Sequence, residues 1–239
     1  MSLFANPALE KNLLAAIGTV VFVKAVVGGC DVLVSKGWVS STITRKIVHV
    51  SAGSWILYWP LFTQDHWTWK LNVLVPAVYS VQLFVKGALL RDPNDKETRT
   101  MTRTGNPTEL LYGPLYFTLV MQYVGLQCFE TSLGITIMAC LGYGDGLAPL
   151  VGTYMPFGRY PTFPFRGETK TLSGSLAFWA ASILGYAIFQ AVCLSQKEAQ
   201  VDHAKVLQII TLAAVTEGIS GSFDNVTVPL CVYLAFKYM

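Results

Sequence analysis

The sequence predicts an all-α fold, a polytopic transmembrane helix bundle of about seven spans (six to eight), and three observations predict it. Hydrophobic residues fill 53% of the 239 positions and charged residues only 13%, against about 25% charged in an ordinary soluble domain. The mean hydropathy is +0.47. Apolar stretches of roughly 20 residues recur along the chain, the length at which ~1.5 Å of rise per residue covers about 30 Å of hydrocarbon.

The spans fall near 12–34, 47–63, 71–90, 109–127, 132–155, 172–194 and 205–216, and a last apolar piece at 226–238 reads as a short or re-entrant span. The connections are short and no internal repeat is visible, so residues 1–239 read as a single integral membrane domain. The opening MSLFANPALEK has neither the composition of a transit peptide nor a signal-peptide cleavage pattern, so the first apolar stretch is expected to stay as a helix. The longest polar connection, Arg91 to Glu109, is rich in charge and turn residues and belongs outside the hydrocarbon. The connections at 35–46, 91–108 and 156–171 together carry ten lysines and arginines, whereas the opposite set, Lys11, Lys70, Lys197 and Lys205, carries four. The positive-inside rule therefore puts the first set on the cytoplasmic side and the N-terminus on the other.

A net charge of +3 divided among short loops offers no basic stripe for tracking nucleic acid, which excludes that class of partner. The five cysteines, Cys30, Cys128, Cys140, Cys193 and Cys231, lie in or beside apolar stretches without a CxxC pair, and read as small packing residues.

Chemistry gathers in five polar patches. The fifth span, ITIMACLGYGDGLAPLVGTYM, sets Asp145 between Gly144 and Gly146, with Pro149 following. An ionised Asp at mid-helix costs roughly 2.5–3.5 kcal/mol on insertion scales and needs a partner or a wet cavity. The glycines and proline loosen the helix there, so an Asp on a broken helix suits a cation site; the plainer alternative is a buried Asp satisfied by a neighbouring helix. The run RGETKTLSGSLAF, Arg166 to Phe178, leads into the sixth span. Thr171 or Ser173 can cap that helix, Gly174 and Ser175 lie in its first turn, and Arg166 and Lys170 add charge, a composition that fits phosphate or an ordinary capped helix.

Glu109 stands at the entrance of the fourth span, where it can receive a cation or a substrate proton, or simply favour a helix N-terminus. Thr216 to Leu230 brings Glu217 and Asp224 to the same side as the positive loops, where they can share a divalent ion with Asp145. In RKIVHVSAG, Arg45 to Gly53, Arg45 and His49 lie four apart on one helix face with Lys46 adjacent, a face fit for phosphate or a lipid headgroup, or for anchoring alone.

In order and content these patches resemble the polyprenol kinase family, which includes the phytol and dolichol kinases and is distantly similar to CDP-diacylglycerol synthases. The likeness runs from Arg45 to Leu230 and is greatest to the phytol kinases. RKIVHVSAG resembles their early Arg-Lys-x-x-His element, and GNPTELLYGPLYF their Glu-Leu-Leu-x-Gly-Pro segment. GYGDGLAPLVG with RGETKTLSGSLAFW resembles the Gly-Asp-Gly motif and its downstream Lys-Ser/Thr-x-x-Gly-Ser, and FDNVTVPL the late Asp-Asn-x-Thr-Val-Pro element. One departure stands out: where the family has an Ala-Asp pair after Gly-Asp-Gly, Pro149 follows Ala148, so one acidic group is missing.

The resemblance implies a CTP- or UTP-dependent kinase with Mg²⁺, acting on a phytol-like isoprenoid alcohol and a nucleoside triphosphate at the surface of a lipid membrane, which in a eukaryote would be that of the endoplasmic reticulum or plastid. In that reading Asp145, with Asp224 or Glu217, holds the metal. Lys170, Arg166 and the turn Ser173-Gly174-Ser175 meet the phosphates, with Gly144, Gly146, Thr171, Arg45 and His49 contributing. Glu109 orients the hydroxyl. Two other readings stand beside it on the residues alone: a cytidylyltransferase forming a CDP-lipid, and a non-enzymatic transporter or scaffold, for which an intramembrane Asp on a broken helix is also expected.

Overall fold

The computed structural model describes residues 6–95, 98, 101, 102, 104–162, 168–194 and 202–239, and they form two compact units. One comprises residues 1–44 and 55–129, the other 45–54 and 130–239. The chain is mainly helical, as its composition demands. Among the described residues four helical stretches are long and apolar enough to cross a membrane: Pro7–Ser35, Trp67–Leu90, Ser132–Tyr154 and Leu172–Cys193.

In the first unit, α1 (Pro7–Ser35) starts on Asn6, whose side chain accepts from the Ala8 N–H, with Pro7 in the first turn where its missing N–H costs nothing. Its buried Asn12 is fully engaged: Nδ2 donates to Thr63 O and Thr68 Oγ1, and Oδ1 accepts from Thr63 N. The stretch expected at 47–63 is not one helix. α2 (Ser41–Gly53), which belongs to the second unit from Arg45 on, gives way to a 3₁₀ segment at Ser54–Leu61 that contains Pro60, where an α-helical hydrogen bond cannot form. A second 3₁₀ turn, Trp67–Val73, runs into α3 (Leu74–Phe84) and a π turn at Val85–Leu90. Pro107–Leu111 is 3₁₀, and only from Gly113 does α4 (Gly113–Gln127) begin, so the helix expected from 109 starts later at its Gly-Pro step. Trp55, Trp59, Trp69 and Phe129 make an aromatic cluster with ring centroids 5.0–5.5 Å apart. Ser80 donates to Thr118 Oγ1 and accepts from Gln122 Nε2, joining α3 to α4 by the polar contacts that membrane helices use in place of a hydrophobic drive.

The second unit is built around α5 (Ser132–Met138), a π turn at Ala139–Gly144 and α6 (Asp145–Tyr154). Of the four long stretches this one is 72% buried, against 22–39% for the others, which makes it the central helix of its unit. Against it pack α7 (Leu172–Cys193), α8 (His203–Ile219) and α9 (Asp224–Tyr238). α9 is a continuous 15-residue helix over the last apolar piece, the short form of the two that were expected there. At ~1.5 Å per residue it and the 17-residue α8 fall short of a whole bilayer core.

The all-α expectation needs one correction. Before α7 the chain forms an antiparallel hairpin, β1 (Arg159–Pro161) and β2 (Thr169–Thr171), with Tyr160 opposite Lys170. Gly158, at φ +62°, supplies the left-handed backbone that starts it. Four cysteines are buried and Cys231 is half-buried, and none of the five is in a disulfide.

Candidate active site

Helix α2 lies against the central helix at a glycine-on-glycine contact. A Cβ on Gly53 would stand 2.5 Å from Gly142 Cα, and one on Gly146 would stand 2.5 Å from Val50 Cγ2, so only hydrogen fits at these positions. The glycines read as loosening the helix thus also let two backbones meet. This contact delivers Lys46 and His49, three apart on one face of α2, to Asp145 at the start of α6.

Asp145 is 7% exposed. Its main-chain carbonyl accepts from Lys46 Nζ at 3.1 Å, and its Oδ2 lies 3.8 Å from that ammonium and 3.2 Å from His49 Nε2. His49 Nε2 also lies 2.9 Å from Leu141 O. A carbonyl can only accept, so Nε2 carries the proton and offers it to both oxygens. The π turn immediately before Asp145 is a form that recurs at functional sites.

Two further carboxylates come from the C-terminal turn of α8 and the first residue of α9. Glu217 is 3% exposed; Lys170 Nζ donates to its main-chain O at 2.7 Å and to its Oε1. Asp224 Oδ2 lies 3.4 Å from the same ammonium, and its Oδ1 accepts from Asn225 N. Burial alone would depress the Lys170 ammonium, but the Glu217 and Asp224 carboxylates outweigh it and raise its pKa, so Lys170 stays charged at neutral pH. One carboxylate oxygen each from Asp145, Glu217 and Asp224 lies within 4.8 Å of the others. Three carboxylates face two lysines here, and one buried carboxylate oxygen, Glu217 Oε2, is left without a hydrogen-bond partner among the described residues. An all-oxygen set of this kind can take a hard divalent cation such as Mg²⁺.

The other sequence-marked residues distribute differently. Thr171 caps α7, accepting from Gly174 N at 3.1 Å. Leu172 N donates to Gly158 O and Ser173 N to Phe157 O, so the three N–H groups of the first turn already have protein acceptors. Ser173 Oγ accepts from Phe157 N, and Ser175 Oγ shares a hydrogen bond with Tyr160 OH. In this arrangement the turn secures the hairpin and presents no open N–H nest to an anion. Gly144 packs on Ser182 and Phe178 of α7. Arg45 is half-buried and directly precedes Lys46; the pair that meets Asp145 is Lys46 and His49, not Arg45 and His49. Arg166 lies outside the described residues. Glu109 belongs to the first unit, where its Oε1 accepts from Thr104 N and Oγ1.

Sequence reasoning did not mark Lys46 as a site residue, although its i, i+3 spacing to His49 was available. It also passed over Tyr160, which only the hairpin register brings beside Lys170.

No family model and no solved structure matches the chain. Among known proteins it is similar to Probable phytol kinase 2, chloroplastic, of Oryza sativa subsp. japonica, 28% identical over 84% of this chain and 67% of the relative. It is 26% identical to Phytol kinase 1, chloroplastic, of Arabidopsis thaliana over 99% of this chain and 82% of that one. To Probable phytol kinase, chloroplastic, of Triticum aestivum it is 30% identical over 213 residues, 85% of this chain and 69% of the relative. With identity at that level across more than two thirds of a relative, the chain belongs to the phytol kinase family.

Proposed function

We propose that this chain transfers the γ-phosphoryl group of CTP or UTP to the terminal hydroxyl of phytol or a related isoprenoid alcohol at the membrane surface. The single observation that carries this reading is the meeting of Asp145, Glu217 and Asp224 within 4.8 Å, with Lys46, His49 and Lys170 around them. Phosphoryl transfer is mainly positioning and charge neutralisation, so carboxylates to hold a cation and lysines to meet phosphate are what it asks of a protein.

Asp145, Glu217 and Asp224 would hold Mg²⁺, and its oxygen-only donor set with the free Glu217 Oε2 fits that ion. When bound, Mg²⁺ neutralises charge on the phosphates. Lys170 and Lys46, each already paired with a carboxylate, are placed to turn toward phosphate oxygens, and His49 keeps Asp145 oriented. With the first turn of α7 closed by the hairpin, charge from these lysines, together with Arg166, takes the larger share of phosphate recognition, and Thr171, Ser173, Gly174 and Ser175 shape the wall beside it. Glu109 is assigned to orient the acceptor hydroxyl on the family resemblance. In the reaction the hydroxyl oxygen bonds the γ-phosphorus, the bond to the β-phosphate oxygen breaks, and the hydroxyl proton passes to water; the products are a lipid monophosphate and the nucleoside diphosphate.

Residues 1–239 act as one integral membrane kinase-like domain with about seven crossings, its positive loops cytoplasmic and its N-terminus opposite. The shorter helices cross where local bilayer thinning and snorkelling of flanking side chains allow. The testing experiment is purified protein in detergent with γ-labelled CTP, UTP or ATP and a panel of phytol, geranylgeraniol, farnesol, dolichol and diacylglycerol. Label in a prenyl monophosphate, strongest from CTP or UTP, is expected; pyrophosphate release with a CDP-lipid, or no transfer, contradicts the reading.

A further inference from the structure

Helices α7 and α8 leave a groove of about 480 Å³ between them, inside the second unit. Its walls come from Leu172, Leu176 and Trp179 on α7 and from Ala214, Val215 and Ile219 on α8. Leu172, Leu176 and Trp179 are four and three apart, and on α8 Thr211, Ala214, Val215, Gly218 and Ile219 fall at i, i+3, i+4, i+7 and i+8, so each helix offers one continuous face. Trp179 Nε1 donates to Thr211 Oγ1 at 3.0 Å, so the indole N–H of this wall residue is paired between the two helices.

The groove is apolar along its length and polar at one end. There Tyr160 OH and Ser175 Oγ share a hydrogen bond, and the floor is Gly218. A Cβ on Gly218 would stand 2.9 Å from Tyr160 OH and 3.6 Å from Ser175 Oγ, so the glycine keeps that end open. Two links tie it to the carboxylate cluster. Gly218 follows Glu217 directly, and Tyr160 is paired across the hairpin with Lys170, whose Nζ bonds Glu217. Residues directly opposite in an antiparallel pair project from the same face, so the Tyr160 hydroxyl and the Lys170 ammonium emerge together.

We propose that this groove holds the prenyl chain of the alcohol acceptor, with the hydroxyl end at the Tyr160–Ser175 pair, one residue from Glu217. The inference rests on the kinase reading for its acceptor and adds the seat of the tail. Its volume falls within the roughly 300–1,000 Å³ of small-molecule sites, and an apolar trough with a few convergent polar groups is their usual make-up. A single uncharged hydroxyl pair at the head matches an alcohol. A linear isoprenoid fits between two helices open to lipid, so the tail need not leave the bilayer while its hydroxyl reaches the cluster.

The test is photolabelling of the full-length protein in nanodiscs with a diazirine-bearing geranylgeraniol, without nucleotide, followed by peptide mapping. Label is expected on 172–179 and 211–219, displaced by excess phytol and not by equal diacyl phospholipid. Leu176→Trp and Val215→Trp, at two groove-lining residues that are each 57% exposed, fill it from opposite walls without touching the core. Each should abolish the phytol-sensitive label and raise KM for the alcohol at least about tenfold, with KM for the nucleotide unchanged. Label elsewhere, displacement by phospholipid alike, or unaltered alcohol KM in both folded variants overturns the assignment. Loss of transfer with the label still in place would overturn the kinase reading and leave the groove.

Discussion

Lys170 grips Glu217 twice, donating from one ammonium to the main-chain carbonyl and to the side-chain Oε1 of a residue 47 positions away. The contact fastens the hairpin strand before α7 to the end of α8, and it sets a cation beside the carboxylate cluster.

Removing that cation leaves two buried carboxylates facing each other. Lys170→Met is expected to cost about 3–5 kcal/mol of stability, the range for breaking a buried pair, and to lower kcat by roughly 10²–10³. The double variant Lys170→Met/Glu217→Gln, which removes one of the two carboxylates left facing each other, should regain part of the stability and none of the activity. Thermal melting in detergent and steady-state kinetics check both halves. A double variant no more stable than the single one would mean the pair carries no buried charge penalty.

The approach of α2 to the central helix gives a sharper steric test. Gly53→Ala forces its Cβ against Gly142 backbone and is expected to cost about 1–3 kcal/mol, with activity lost as Lys46 and His49 withdraw from Asp145. Gly28→Ala in α1, where a Cβ meets nothing within 4 Å, should be neutral or stabilising by up to ~1 kcal/mol. Melting temperatures of the two variants measured side by side decide it.

Much of this cluster was legible in the chain. Asp145, Glu217 and Asp224 are acidic groups in apolar surroundings, and the expense of such placements marks them. Lys46 was not legible as a site residue because Arg45 and Lys46 are adjacent cations, and their two spacings to His49, four and three, are both helical neighbours. The choice between them depends on how α2 is rotated, which the Gly53–Gly142 contact fixes from 89 positions along the chain. The closed first turn of α7 was hidden for a similar reason: Phe157 and Gly158 supply its acceptors only through a hairpin whose strands are three residues long, too short for an alternating pattern. Pro60 shows the reverse case, a local signal against a continuous helix over 47–63 that the apolar run masked.

A pH effect is expected in the first unit. Burial works to raise the Asp95 carboxyl, but hydrogen bonds from Lys86 and Thr98 and the Lys86 charge outweigh it and hold the carboxyl below its usual range. A depressed carboxylate pKa adds stability that is present above the unfolded value and lost as pH falls through the folded one. Asp95→Asn should therefore destabilise by about 0.5–1 kcal/mol at pH 7, and the difference should vanish in acid. Melting curves across that range would show it; an equal difference at both ends would assign the effect to packing.

Asp145, Glu217 and Asp224 are assigned together to one divalent ion. Mn²⁺ titration of the purified protein, read from the loss of the free-ion EPR signal, tests this without need of substrate. One saturable site is expected in the wild-type chain, weakened by about tenfold or more in Glu217→Gln. Equal binding by the two proteins, or none by the wild type, would contradict the assignment.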